Sequence, residues 1–230
     1  MTSPVAGLNC HSATIGDGGS FDLVLLHGYA MQGGDFAPFA QSLGIPGRYF
    51  FPDAPTDVPG GGHSWWPVDQ ELRMQSMARG PRDLAQQDPP GRSAARATLR
   101  QFLAGIGAGN PLRPLILGGF SQGGMLAVDY TVHCDAAIAG LVLLSTSRIA
   151  LRDWQSRSQR LRALPVFLSH GRQDPDLSFS AGHALHEFIR AAEARTVWYP
   201  FDGGHETPLN VWRELRRFLK TLDADLSRQH

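Results

Sequence analysis

Apolar residues fall in short, nearly unbroken runs along this chain. The runs are residues 21–26 (FDLVLL), 48–51 (RYFF, closed by Pro52), 114–120 (PLILGGF), 137–144 (AIAGLVLL), 164–168 (LPVFL) and 196–199 (TVWY). Apolar side chains on consecutive rather than alternate positions predict strands covered on both faces, as in a parallel sheet between helices. Stretches of helical character separate the runs: 36–43, 93–106, 122–132, 181–194 and 208–222. In the fourth, Ala181, Leu185, Phe188 and Ile189 fall on one helical face; in the fifth, Thr207 is the expected N-cap and Pro208 the first-turn residue. The alternation predicts an α/β fold with a mostly parallel central sheet.

Two segments break the rhythm. Residues 53–66 (DAPTDVPGGGHSWW) are too rich in Pro and Gly for regular structure, and 70–92 hold at most a short helix at 71–77 before MARGPRD and QQDPPGR. So long an irregular excursion is a functional lid or a disordered insert. No linker divides the chain, so one domain over 1–230 is expected.

Composition narrows the classes. The 230 residues are 42% hydrophobic and 18% charged, an ordinary globular balance. Lys+Arg and Asp+Glu both number 21, so no excess charge draws the chain to nucleic acid or an anionic membrane. The longest apolar run, 136–144, is too short to span a bilayer. Residues 1–19 lack the basic start and apolar stretch of a signal peptide. Cys10 and Cys134 make neither a disulfide framework nor a zinc site. The expectation is a cytoplasmic protein, monomeric or homodimeric.

The chemistry centres on Gly119-Phe120-Ser121-Gln122-Gly123, a G-x-S-x-G between an apolar run and a helical stretch. Strand, tight turn and helix are the setting in which this pentapeptide lifts a nucleophilic hydroxyl above a sheet, and flanking side chains would clash there. Such a serine needs a base. His205 follows the last apolar run, with Gly203 and Gly204 letting its loop bend back. The base needs an orienting carboxylate, and Asp174 follows the run at 164–168. The order Ser, Asp, His, each at a strand end, is that of α/β-hydrolases. Two backbone N–H groups are required for an oxyanion hole; the candidates are Gln122, after the serine, and Tyr29, after the first run. His27 reads as a structural residue of that turn.

Other residues are weighed against these. Asp202 is too near His205 in sequence to serve its far ring nitrogen, and Asp176 reads as a residue that starts the next helix. Trp65 and Trp66 either line a pocket or pack their loop down. Met74 and Met77 either form a pliable pocket wall or sit on the buried face of a surface helix. His183 and His186 are spaced for one helix face but lack a further ligand, so no metal is expected.

The chain resembles the phospholipase/carboxylesterase family of α/β-hydrolases, which includes acyl-protein thioesterases and small bacterial carboxylesterases. The resemblance rests on Leu26-His27-Gly28, Phe51-Pro52-Asp53-Ala54-Pro55, Gly118 to Gly124, His170-Gly171-Arg172-Gln173-Asp174 and Gly204-His205. It implies hydrolysis of esters or thioesters through an acyl-serine, with Ser121 as nucleophile, His205 as base, Asp174 as orienting acid, Tyr29 and Gln122 as oxyanion donors, and no cofactor. It also implies a minimal cap over about 56–92, bordering the acyl pocket. Residues 69–92 are longer and richer in Pro than in the thioesterase members, so the family's substrate does not carry over. A carboxylesterase of small to medium acyl chains is expected; the alternatives are an acyl-protein or acyl-carrier thioesterase or lysophospholipase, or a ligand-binding protein on the hydrolase fold.

Overall fold

A computed structural model describes residues 1–108, 110 and 112–228. Each of the six apolar runs forms a strand: β3 (Asp22–Leu26), β4 (Gly47–Pro52), β7 (Leu115–Phe120), β8 (Ile138–Leu144), β9 (Pro165–Gly171) and β10 (Arg195–Phe201). All are parallel to their neighbours in this set. Two further strands, β1 (Thr2–Val5) and β2 (Leu8–Ile15), make an antiparallel hairpin that adds to β4. The eight-stranded order is β1-β2-β4-β3-β7-β8-β9-β10, and a separate two-stranded ribbon pairs β5 (Thr56–Asp57) with β6 (His63–Ser64).

The parallel strands divide their side chains between two cores. Val24, Leu26, Leu117, Leu141 and Leu143 face one side; Leu23, Leu25, Ile116, Val142 and Leu144 face the other. Period-two alternation assigns the faces, and burial on both explains the unbroken apolar runs. The first face is covered by α3 (Arg92–Gly105), α4 (Gln122–His133), α5 (Leu151–Ser156) and α6 (Phe179–Ala191). The second is covered by α1 (Ala37–Leu43) and α7 (Leu209–Ser227), where Phe39 stacks on Trp212 at 4.0 Å between ring centroids. Among the described residues no helix is long and apolar enough to cross a membrane.

Two local expectations are corrected. Thr207 does not cap α7 with its side chain: Pro208 holds the N-cap position, and the Thr207 carbonyl instead accepts the indole N–H of Trp212 at 2.9 Å. The short helix of the irregular region, α2 (Gln70–Met77), buries no residue at all. It is a short surface helix capped by Asp69, whose Oδ1 accepts the Leu72 amide at 3.0 Å.

Candidate active site

Parallel strands of one sheet end on one side, and the loops beyond those ends converge there. Ser121 leaves β7 with φ 52° and ψ −118°, a conformation rarely open to an L-residue. Its N–H donates to Leu144 O at 2.9 Å, and its carbonyl accepts the Thr146 hydroxyl at 2.7 Å, so the turn is held from the neighbouring strand. Gly123 is required by contact: a Cβ there would lie 2.3 Å from Leu26 O. Oγ of Ser121 accepts or donates no hydrogen bond among the described residues, and it faces a cavity that the His205 imidazole also lines.

His205 and Asp174 are joined directly. The His205 Nδ1 lies 2.7 Å from Asp174 Oδ2. An ionised carboxylate only accepts, so Nδ1 carries the proton of this hydrogen bond. Asp174 is 2% exposed, and its Oδ1 accepts the amides of Asp176 and Leu177, both at 2.9 Å. Burial alone would raise its carboxyl. Hydrogen bonds from His170 and His205, the charge of His205 and the Leu177 amide outweigh that and hold it well below the usual carboxylate range. The Phe120 ring lies 4.7 Å from the imidazole, and the Ser145 hydroxyl donates to Glu206 O at 3.1 Å, fixing the His205 loop.

The amides of Tyr29 and Gln122 donate to no acceptor among the described residues. For Gln122 this follows from its place in the first turn of α4. His27 is a structural residue, and its roles are fixed by its partners. Nε2 accepts the Ala54 amide at 2.9 Å, so the proton sits on Nδ1, which donates to Gly28 O at 2.7 Å. Burial lowers its pKa and keeps it neutral. The ring thereby ties the Tyr29 turn to the end of β4.

The cavity encloses about 670 Å³ and has mainly apolar walls, among them Met31, Trp66, Leu84, Met125 and Ile149. Of the pocket candidates, Trp66 lines it. Trp65 does not: it is buried beneath the floor, its Nε1 donating to His27 O at 2.9 Å and its ring 5.4 Å from that of His27. Met74 does not either. Leu72, Arg73 and Ser76 occupy the cavity side of α2, and Met74, more than a quarter-turn away, points to water at 62% exposure.

Several side chains at the site escape a reading of the sequence. The Gln122 amide group accepts from Trp65 N at 3.0 Å and donates to Trp66 O at 3.2 Å, so the residue after Ser121 also pins the tryptophan loop. His170 is fully buried, with Nε2 2.9 Å from Leu177 O and 3.3 Å from Asp174 Oδ2. Asp176 does not start α6, whose N-cap is Ser178. Instead it takes Arg73 and Arg82 together on the cavity wall. Asp202 is exposed and faces Arg172 at 3.4 Å, away from His205.

Among the described residues, two clusters have metal-ligating groups in reach of one another. In Asp129-His133-Asp153, Arg92 already donates to both carboxylates. On α6, Glu187 joins His183 and His186, which corrects the expectation that the pair lacks a further ligand. There Glu187 is engaged by Arg190, and the His186 ring stacks on Trp198 at 5.2 Å.

A family model described as Phospholipase/Carboxylesterase matches residues 21–223. The acyl-protein thioesterase 1 of Cryptococcus neoformans var. neoformans serotype D is 26% identical over 189 residues, covering 78% of this chain and 73% of that protein. The crystal structure of esterase PE8 superposes with a TM-score of 0.78 at 23% identity, covering 94% of this chain and 99% of the other. Acyl-protein thioesterase 2 of Zea mays superposes with a TM-score of 0.75 at 20% identity, covering 93% and 98%. The two superpositions speak for the α/β-hydrolase fold, and the family match extends from β3 into α7, across every loop of the site. The chain belongs to the phospholipase/carboxylesterase family and is a hydrolase of ester or thioester bonds.

Proposed function

We propose that the protein is a serine carboxylesterase acting on small to medium acyl chains through an acyl-serine. The observation that carries this reading is the His205–Asp174 pair at 2.7 Å opening onto the cavity that holds the Ser121 hydroxyl. His205 Nε2 takes the proton of Ser121 as Oγ attacks the substrate carbonyl, and Asp174 stabilises the imidazolium that results. The oxyanion is received by the N–H groups of Tyr29 and Gln122, which have no other acceptor to give up among the described residues. His205 then protonates the departing alcohol or thiol. Water enters by the same base, and the acid leaves with Ser121 restored. Trp66, Met31 and Met125 supply apolar contact for the acyl chain.

A thioesterase reading draws support from the relative named above as an acyl-protein thioesterase, and from a cavity large enough for more than a short acyl group. The test is hydrolysis of p-nitrophenyl acetate, butyrate, octanoate and palmitate, with palmitoyl thioester alongside. The expected result is a maximum at butyrate or octanoate and a loss of at least about a thousandfold in Ser121→Ala. A maximum at the palmitoyl thioester moves the assignment to the thioesterase. Turnover that survives Ser121→Ala, or none on any substrate, overturns both.

A further inference from the structure

The cavity wall carries a charged group that the acyl-transfer chemistry leaves unused. Asp176, 5% exposed, is bonded on Oδ2 by Arg73 and on Oδ1 by Nε and Nη2 of Arg82, and all three residues line the cavity. Two guanidinium groups thus share one carboxylate. Nε and Nη1 of Arg73 and Nη1 of Arg82 find no acceptor among the described residues. The further carboxylate that lines the cavity, Asp69, is exposed, makes no ion pair with either arginine, and caps α2. Two cations with free donors are therefore left sharing a single carboxylate beside an apolar cavity.

The group is also held in place. The Arg82 backbone is locked to the loop after Asp174: its N–H donates to Asp176 O at 2.8 Å and its carbonyl accepts Ser178 N at 2.9 Å. Arg73 lies 5.3 Å over the ring of Tyr29, whose amide is the oxyanion donor proposed above. Guanidinium forks fixed in this way suit a carboxylate, which they can take with two parallel hydrogen bonds.

We infer that Arg73 and Arg82 form an anion subsite, so that the preferred substrate is an ester or thioester bearing a carboxylate separated from the scissile carbonyl by an apolar spacer. The inference rests on the cavity being the site of hydrolysis, as proposed above. The carboxylate can belong to the acyl group or to the leaving group, and the two cases are separable.

The test is a ratio of kcat/KM within matched pairs. The acyl arm compares the mono-p-nitrophenyl ester of adipic acid with p-nitrophenyl hexanoate; the leaving-group arm compares 4-carboxyphenyl hexanoate with phenyl hexanoate. Damage to folding or to α2 affects both members of a pair and cancels. The anionic member is expected to gain about tenfold in one arm, falling as salt is raised. Arg73→Gln and Arg82→Gln should each cut the ratio about fivefold or more, and Asp176→Asn, which frees both cations, should raise it. Opposite signs for Arg and Asp variants are what a merely structural cluster would not produce. Ratios that agree within about twofold across the wild type and all three variants, in both arms, overturn the inference. Binding of the same four compounds to Ser121→Ala, measured calorimetrically with and without each arginine, separates the two proposals. If the wild type turns nothing over, the esterase reading fails while the binding ratio still decides for or against the subsite.

Discussion

Two buried aspartates in this molecule are each bridged by a pair of arginines, and they do different work. Asp129, fully buried on α4, accepts Nη1 of Arg92 at 2.6 Å, Nη1 of Arg96 at 2.7 Å and the indole N–H of Trp154 at 2.7 Å. Arg92 reaches onward to Asp153 and Asp88, and Arg157 also donates to Asp153, so three carboxylates balance three arginines in that cluster. The cluster fastens α3, α4 and α5 together, and neither Asp129 nor its two arginines line the cavity beside Ser121. Asp176 has the same two-arginine arrangement, but there the cations outnumber the carboxylate, and the group faces the cavity beside Ser121. Charge balance and access, not burial of the aspartate, separate a staple from a candidate recognition site.

The largest expected effect tests that contrast in stability. Asp129→Ala leaves two largely buried guanidinium groups without their shared partner, and breaking such a pair costs about 3–5 kcal/mol. Asp176→Ala strands Arg73 and Arg82 on the wall of an open cavity, with Arg73 at 28% exposure, so the cost should be smaller, about 1–2 kcal/mol. Urea denaturation of both variants checks the difference. Equal losses would dissolve the contrast and make Asp176 a second staple.

Neither cluster can be read from the sequence. Arg92 and Asp129 are 37 residues apart, and Arg82 and Asp176 are 94 apart; no local pattern links them. What was legible is what burial writes locally. The six parallel strands show as unbroken apolar runs because both faces are covered. The hairpin Thr2–Ile15 is missed because it lies at the sheet edge: all of β1 but Val5 is exposed, and in β2 only Leu8 and Cys10 are buried. The proposed Ser121, Asp174 and His205 are legible because each follows a readable strand and one lies in a motif with a steric reason. The pocket is not, because α2 buries no residue and therefore carries no periodicity to tell Arg73 from Met74.

A second test concerns α2. With no buried residue, α2 is held by Arg73 on Asp176, by Arg73 over Tyr29, and by Gln70 Nε2 donating to the Tyr29 hydroxyl at 2.8 Å. Arg73→Gln removes the first two contacts, which together amount to about 1–2 kcal/mol of local stability. Amide exchange over residues 70–77 should quicken about tenfold while α3 and α4 keep their protection. Arg96→Gln should do the reverse, loosening α3 against α4 with α2 unmoved. Loss of protection at α2 in both variants would mean that the two clusters are mechanically joined, and the contrast drawn above would fail.

The smallest effect is the staple's own share of the pH dependence. Burial alone would raise Asp153, but hydrogen bonds from Arg92 and Arg157 and the charge of His133 bring it down to about 2. A folded-state pKa below the unfolded value of about 3.9 gives stability that is complete above that value and is lost as pH falls toward 2. Because the side chain is partly open to solvent, at 32% exposure, screening reduces the contribution to about 1 kcal/mol. Asp153→Asn should therefore lower stability by about that amount at pH 7 and flatten the fall between pH 4 and 2. The Asp176 carboxyl is also held low, by Arg82 and Arg73 against the effect of burial, so its own share of acid stability runs with the same sign. The double variant Asp153→Asn, Arg73→Gln decides whether the two shares are separate. Losses that add within about 0.5 kcal/mol mean independent clusters. A larger deviation means that the staple behind the sheet and the charged wall of the cavity titrate as one network, and the acid limb of the stability curve would then report on the site as well as on the fold.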